Sequence, residues 1–262
     1  MLRLIARATG PKVGRKHQCC LSTGVDYAGQ PSQGRRARHG GAGGPGDAGT
    51  PFDPGFFSPT GAAGTGERDS GERCWAPSGN NIQPWRVHVV CGRTRQRLVD
   101  AVCSAYDRAD GSYQAEYHYY PREFFEPYLG RRRKSGWGLY GLLGIQKGET
   151  ERMRAQHRKN FEFFGAPVGL MFSIDRRMEQ GSWLDYGMFL QNVMLAASAR
   201  GLATCAQGAW IDYHRLIADL LKFGEQEQLV CGMALGYPDP EAPENTLALD
   251  RAPLSEYVVV HD

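Results

Sequence analysis

From Trp85 onward, apolar and polar positions follow periods that predict alternating strands and helices. The stretch "WRVHVVCG" (85–92) alternates and then runs apolar, as a strand with one well-buried face does. The same reasoning predicts further strands at 166–175 and 227–236 and a short one within "LATCAQGAW" (202–210). Helical spacing is found at 94–109, 149–165, 182–201 and 213–223, with Gly201 as a C-terminal cap. The pattern predicts a layered α+β or α/β domain.

Two segments lack such a period. The stretch 113–145 is dense in aromatic residues, and we interpret it as a long excursion that covers something apolar. Residues 1–73 hold 16 of the 34 glycines and almost no aliphatic residues after Val25, which is typical of a disordered tail. An organelle transit peptide at the Arg/Lys-rich start and an out-of-frame translation are the alternatives. We predict a domain boundary between 73 and 74, with residues 74–262 folded.

Composition excludes several classes of protein. The net charge is +3, but residues 1–73 carry ten Lys/Arg against six Asp/Glu, so the remainder is near neutral with 21 against 22. The run "GRRRKSG" (130–136) is then best interpreted as a solvated face, and we expect no nucleic-acid partner. No apolar run approaches the ~20 residues that a membrane span needs. We therefore expect neither a membrane protein nor a nucleic-acid binder.

The seven cysteines form no CxxC pair, so their spacing supports neither a zinc site nor a disulfide framework. We therefore expect a reducing, cytoplasmic setting and no metal site. Cys205 and Cys231 stand in apolar contexts, where a small buried core residue is the expected role.

Three motifs carry candidate chemistry. In "APSGNNIQPW" (76–85), Ser and Asn supply short hydrogen-bonding side chains, Gly permits close backbone approach and Pro fixes a bend. The second motif is "ARGLATCAQGAW" (199–210), a short strand that runs into a glycine turn. The third, "GYPDPEAPENTLALDRAPLSEYVVV" (236–260), places Arg251 before Pro-Leu. A guanidinium has the fork geometry that suits a phosphate.

These motifs, in this order, resemble the FMN-dependent nitroreductase family, with an aromatic excursion similar to that of nitrobenzoate-reductase-like members. The resemblance implies an α+β three-layer fold with an antiparallel-rich central sheet flanked by helices, and a homodimer with FMN at the subunit interface. It implies FMN contacts for Pro77, Ser78, Gly79 and Asn81 from the neighbouring subunit, for Gln207 and Gly208 at the flavin ring, and for Arg251 at the phosphate. The N–H of Gly208 would donate to flavin N5, whereas the side chain of Gln207 receives no chemical role.

The same resemblance implies the reaction. NAD(P)H would deliver hydride to the flavin, and an electron-poor small molecule, a nitroaromatic or a quinone, would then take it up in a ping-pong cycle. No catalytic side chain is assigned, because the cofactor carries the chemistry. We expect the excursion 117–137 to shape the acceptor pocket. NADH and NADPH remain open as donors.

One family motif is missing. Nitroreductases of this family begin with a helix that ends in Arg-Arg-Ser-x-Arg and binds the phosphate, and that motif would fall at Thr50. Codons for "TPFDPGF" (50–56) can be chosen so that a one-nucleotide shift gives Arg-Arg-Ser-Thr-Arg-Gly. We hypothesise that 50 to about 73 is read out of frame, which sequencing of the gene tests. If the printed frame holds, a non-catalytic or degenerate flavin-binding protein is the alternative, since Leu249 also replaces a second cation.

Overall fold

The computed structural model describes residues 6–7 and 75–261. The predicted disordered tail, the transit-peptide alternative, the boundary at 73–74 and the proposed out-of-frame segment therefore lie outside the described residues, apart from a two-residue strand, β1. The described strands are β1 (Ala6–Arg7), β2 (Trp85–Cys91), β3 (Val168–Asp175), β4 (Ala203–Gln207) and β5 (Glu227–Pro238). The α-helices are α1 (Gly92–Arg108), α2 (Tyr128–Leu142), α3 (Thr150–Arg158), α4 (Gln180–Ala199) and α5 (His214–Leu221).

The strands form one antiparallel sheet around β5. β3 lies between β2 and β5, β4 pairs with the second half of β5 from Gly232 to Gly236, and β1 pairs with the end of β5. β5 is buried from Leu229 to Gly236, as expected for a strand that is covered on both faces. The sequence pattern predicted that this strand ends at Gly236, but β5 continues to Pro238.

Helices cover both faces of this sheet. Met171 of β3 joins a core built with α1, α5 and the two 3-10 helices 159–165 and 208–213. Its neighbour Phe172 points to the other face, where its ring meets Tyr186 and Phe189 of α4 with ring centroids 6.4 Å and 6.2 Å away. Successive strand residues face opposite sides. The predicted three-layer α+β architecture is therefore confirmed.

Two predicted elements differ from the structure. The excursion 113–145 contains α2, which its aromatic, glycine-rich sequence did not indicate. The helix predicted over 149–165 ends at Arg158, and a 3-10 helix follows in which Phe163 and Phe164 adopt left-handed φ values of 53° and 51°. The reason is packing. A Cβ on Gly169 would lie 2.2 Å from Phe163 Cζ, so the ring occupies the space above that glycine.

Glu227, at the start of β5, joins three strands. Its carboxylate accepts hydrogen bonds from Gly224 N (2.9 Å), Ser173 Oγ (2.7 Å) and Arg86 Nη1 (2.8 Å), and its Oε2 lies 2.8 Å from His88 Nε2. Burial alone would raise the pKa of this carboxyl, but the hydrogen bonds outweigh burial and lower the pKa from its ordinary 4.5 to about 2. Its contribution to stability is therefore complete above about pH 4.5 and is lost as the pH falls towards 2.

We expect Glu227→Gln to lower the free energy of unfolding by about 2–3 kcal/mol at pH 7, because a neutral amide replaces a carboxylate that accepts charge-assisted hydrogen bonds. Chemical denaturation at pH 7 and below pH 4 measures this, and the difference from the wild type should shrink at the lower pH. The matched control is Glu225→Gln, at an exposed position two residues away. A deficit that does not depend on pH would contradict the assignment.

Candidate functional site

A cavity of about 530 Å³ opens where β4 ends. This volume lies within the range of small-molecule sites, roughly 300–1,000 Å³. Its walls come from the aromatic excursion, α2, α3, the 3-10 helix 159–165 and the turn after β4. The lining residues are Ala115, Tyr117, His118, Tyr119, Tyr120, Leu139, Tyr140, Gln156, His157, Asn160, Phe164, Cys205, Ala206, Gln207, Gly208, Ala209, Ile211 and Asp212.

Gln207 and Gly208 lie at the floor of this cavity and differ in role. The Gln207 side chain is 2% exposed; its Nε2 donates to the carbonyl of Asn160 at 2.6 Å, and its Oε1 accepts from Trp210 Nε1 at 3.3 Å. Its polar atoms are thus used within the core, and the side chain holds the turn in place. Gly208 follows at the cavity surface, where its backbone is the part that can meet a ligand.

Position 208 leaves little room for a side chain. A Cβ there would come within 3.0 Å of Tyr119 Cζ and 3.1 Å of its Cε1, so the flat ring of Tyr119 would have to shift to admit one. Tyr119 is held nearby by Tyr117, whose hydroxyl donates to Val230 O at 2.7 Å. Val230 is the extra residue of a bulge in β5, opposite the step from Phe172 to Ser173 in β3.

The cavity lining carries little charge. Burial raises the pKa of Tyr119 to about 12 and also raises that of Tyr117, so both hydroxyls stay protonated. Burial lowers the pKa of His157, with a smaller opposing effect of the Asp212 carboxylate, and the imidazole is therefore neutral at pH 7. Such a site suits a planar, largely apolar ring with a few directed hydrogen bonds.

The loop 76–85 lies on α4 rather than in the cavity. Residues Gly79–Asn81 form a 3-10 turn, and Asn80 and Asn81 both have left-handed φ values, of 50° and 57°. Ser78 Oγ accepts from Gln83 N at 3.0 Å, which closes the turn. Pro77, Gly79 and Asn81 are exposed.

Asp185 of α4 anchors this loop. Gly79 N donates to Asp185 Oδ2 at 3.1 Å, and Asp185 is only 8% exposed. Sequence reasoning missed this residue, because a carboxylate inside a predicted amphipathic helix looks like part of its solvent face. The two residues are 106 positions apart in the sequence, so no local sequence pattern indicates the contact.

Arg251 is exposed, and its Nη1 donates to the carbonyls of Leu249 and Asp250, both at 3.1 Å. Ion pairs on either side attach this segment to α2: Lys134 to Asp250, and Arg131 to Glu256. Exposed pairs add little stability, but these two fix where Arg251 stands relative to α2.

The structure thus brings Gln207 and Gly208 together at the cavity and leaves Pro77, Ser78, Gly79, Asn81 and Arg251 outside its lining. Within one chain the three motifs do not form one site.

Over the described residues, 75–261 in particular, no three His, Cys, Asp or Glu side chains are grouped to hold a metal ion. In the same part of the chain, no helix is long and apolar enough to cross a membrane.

The structure describes Cys91, Cys103, Cys205 and Cys231, and none of these four is joined to another in a disulfide. Cys205 and Cys231 are buried, as predicted, and burial raises the pKa of Cys231 to about 12. A thiol with so high a pKa is a poor nucleophile. The prediction that these two residues belong to the core is therefore confirmed.

Known proteins resemble this chain over most of its length. A nitrobenzene nitroreductase of Ectopseudomonas oleovorans is 39% identical over 189 residues, which are 72% of this chain and 83% of that protein. A 4-nitrobenzoate reductase of Pseudomonas putida is 40% identical over 176 residues, 67% of this chain and 76% of that protein. The structure of an FMN- and NADPH-dependent nitroreductase from Sphingopyxis sp. strain HMH matches with a TM-score of 0.70 at 38% identity, covering 72% of this chain and 84% of that one. The model of the nitroreductase family matches residues 62–237, and this chain belongs to that family.

Proposed function

We propose that this protein is an FMN-dependent oxidoreductase that passes hydride from NAD(P)H to an electron-poor acceptor, a nitroaromatic or a quinone. The observation that carries the proposal is the cavity at Gly208, in a chain of the nitroreductase family. The relatives named above are nitroreductases, one of them FMN- and NADPH-dependent.

The residues present fit a flavin. The floor at Gly208 accepts a planar ring, as its contact with Tyr119 illustrates, and the lining is nearly neutral. FMN, when bound, supplies hydride chemistry that no side chain of the cavity offers. Gly208 would donate its N–H to flavin N5, a dipole that Gln207 and Trp210 keep in place. The aromatic residues Tyr117–Tyr120 would exclude water and shape the acceptor site.

Arg251 would bind the FMN phosphate. We expect Arg251→Ala to weaken FMN binding roughly 10–100-fold, because a charge-assisted hydrogen bond contributes about 1.5–3 kcal/mol and each 1.4 kcal/mol is tenfold. Titration of flavin-free protein with FMN, followed by fluorescence, measures the dissociation constant. The control Arg215→Ala removes the same charge from an exposed position of α5. Equal affinities in the two variants would exclude Arg251 from the phosphate site.

A homodimer would complete each site, with Pro77, Ser78, Gly79 and Asn81 contributed by the partner. The exposed loop supports this, since it lies on α4, and that helix presents apolar side chains that no other described residue covers. Leu184 is 73% exposed, and Met188 and Leu195 share its face of the helix at spacings of four and eleven residues. Trp75, just before the loop, is itself 74% exposed, and exposed apolar surfaces of this kind mark protein–protein contacts.

The test is to purify the protein, record its flavin spectrum and follow NADPH and NADH oxidation with 4-nitrobenzoate, nitrobenzene and a quinone. Turnover above that of free FMN supports the enzyme, and the order of rates identifies the acceptor class. Flavin binding without turnover would instead support the degenerate flavin-binding protein. We place the enzyme in the cytoplasm, which the cysteine spacing, without a CxxC pair, favours; fractionation of cells checks this.

A further inference from the structure

The basic run of α2 is divided into paired and unpaired charges. Arg131 pairs with Glu256, and Lys134 pairs with Asp250. Arg132 and Arg133 are exposed, and within residues 75–261 neither has an acidic partner. The Arg132 guanidinium instead stands over the ring of Phe124, 4.5 Å from its centroid. Two exposed guanidinium groups, on consecutive residues of α2, are thus left to bind an anion from solution.

These two arginines share helix faces with residues that line the cavity. Leu139 follows Arg132 by seven residues and Tyr140 follows Arg133 by seven, which is close to two full turns. At 1.5 Å per residue the separation along the axis is roughly 10 Å. The arginines therefore lie along α2 from the cavity, on the side of the helix that borders it.

Among the described residues, the side of α2 between them is open at one position, Gly136. Gly136 lies on this side, three to four residues from each end, and a Cβ built on it meets no atom within 4 Å. The opposite side of α2 is occupied: a Cβ on Gly138 would come within 3.2 Å of Leu247. Beside the path, Phe124 contacts Tyr120 of the cavity wall, with ring centroids 5.6 Å apart.

We propose that Arg132 and Arg133 bind a phosphate group of the nicotinamide dinucleotide, whose chain lies over Gly136 while its nicotinamide enters the cavity. The inference rests on the proposed function and adds a recognition site for the reductant. One guanidinium can donate two parallel hydrogen bonds to the oxygens of a phosphate. An extended ligand with one neutral and one anionic end matches a nearly neutral cavity beside two cations without acidic partners among the described residues.

Calorimetric titration with NADP⁺, NAD⁺ and 2′-AMP tests the site without any turnover. We expect Arg133→Gln, and more strongly the pair Arg132→Gln with Arg133→Gln, to weaken NADP⁺ binding about tenfold or more. The control Arg97→Gln removes an exposed charge from α1, which lines no part of this cavity. If NADP⁺ and 2′-AMP weaken while NAD⁺ does not, the site holds the 2′-phosphate. If NADP⁺ and NAD⁺ weaken equally, it holds the pyrophosphate that both share.

A second pair of variants tests the path. Gly136→Leu should block it and weaken NADP⁺ binding, whereas Gly141→Leu should not, since position 141 is also open but points about 140° away around the helix. Folding is checked by circular dichroism and by FMN content. In steady-state assays KM for NADPH should rise in Gly136→Leu far more than kcat falls.

Three results would overturn the inference: NADP⁺ affinity unchanged in the double arginine variant, no NADP⁺ binding by the wild type, or a loss confined to FMN or to 4-nitrobenzoate. The last would assign the arginines to the flavin or to the acceptor. Failure of the proposed function is seen separately, as a wild type that retains no flavin or reduces no acceptor, because dinucleotide binding is measured without catalysis.

Discussion

Replacing Trp210 by alanine is expected to lower the free energy of unfolding by about 3–5 kcal/mol, as for other large aromatic side chains removed from a core. Trp210 is fully buried, with its ring centroid 5.4 Å from that of Phe161 and 4.6 Å from that of Phe163. The substitution leaves a cavity. It also removes the indole N–H that donates a hydrogen bond to Gln207 Oε1. The turn at Gly208 would loosen, and FMN retention should fall together with stability.

Gly232, which packs against Trp210, allows a second test of how the indole fills the core. A Cβ on Gly232 would lie 2.3 Å from Trp210 Cδ1, so β5 carries a glycine here because the indole fills the space of a side chain. In the wild type, Gly232→Ala should cost about 1–3 kcal/mol through overpacking. In the Trp210→Ala background the same methyl group enters an empty volume, and its cost should disappear or change sign. The two substitutions should therefore be strongly non-additive.

Chemical denaturation of the four proteins of this cycle measures the coupling. Gly181→Ala is a matched control in α4, because a Cβ there meets no atom within 4 Å and should cost nothing in either background. Additive effects of Trp210→Ala and Gly232→Ala would mean that the indole of Trp210 is not the reason why β5 has a glycine at position 232.

The sequence was sufficient for the strands β2 to β5 and for the second motif, because each depends on a local pattern, but it did not predict β1. The apolar run of 227–238 is β5, and the strand that leads to Gly208 is β4. α2 was not predicted, since four glycines (130, 136, 138 and 141) lower its helix propensity and its apolar residues follow no helical period. Packing against segments distant in sequence supports it instead: Gly138 lies close to Leu247, and the side chain of Leu139 is buried.

The site itself was only partly predictable. The second motif indicated Gly208 and Gln207. It could not show that the side chain of Gln207 is hydrogen-bonded to Asn160 and Trp210 within the protein. Tyr119 lies within the excursion 117–137 that was expected to shape the pocket, but its approach to Gly208 was not predicted. Asp185 was missed because it meets Gly79 across a long stretch of sequence. Tertiary packing also broke the helix predicted over 149–165. The burial of Phe163 and Phe164 offsets their left-handed backbone, a strain of order 1–3 kcal/mol per residue.

Introducing Leu184→Glu together with Leu195→Glu is expected to convert a dimer into a monomer. Both leucines lie on the apolar side of α4 that we assign to the subunit contact, and Met188 lies between them. Burying a carboxylate without a partner costs several kcal/mol, so two per subunit should weaken association by at least about a hundredfold. Size-exclusion chromatography with light scattering should give twice the chain mass for the wild type and the chain mass for the variant.

The same variant tests whether the loop at 77–81 acts in the partner's site. Loss of the dimer should remove the loop from the cavity of the other subunit, and the monomer should release FMN even though Gly208 and Arg251 are unchanged. Leu142→Glu is the control, since this leucine is exposed on α2, outside the apolar side of α4. If the variant stays dimeric, the subunit contact does not involve this side of α4. A folded monomer that retains FMN would show that one chain completes the site, and the exposed loop, anchored to Asp185, would then need another partner.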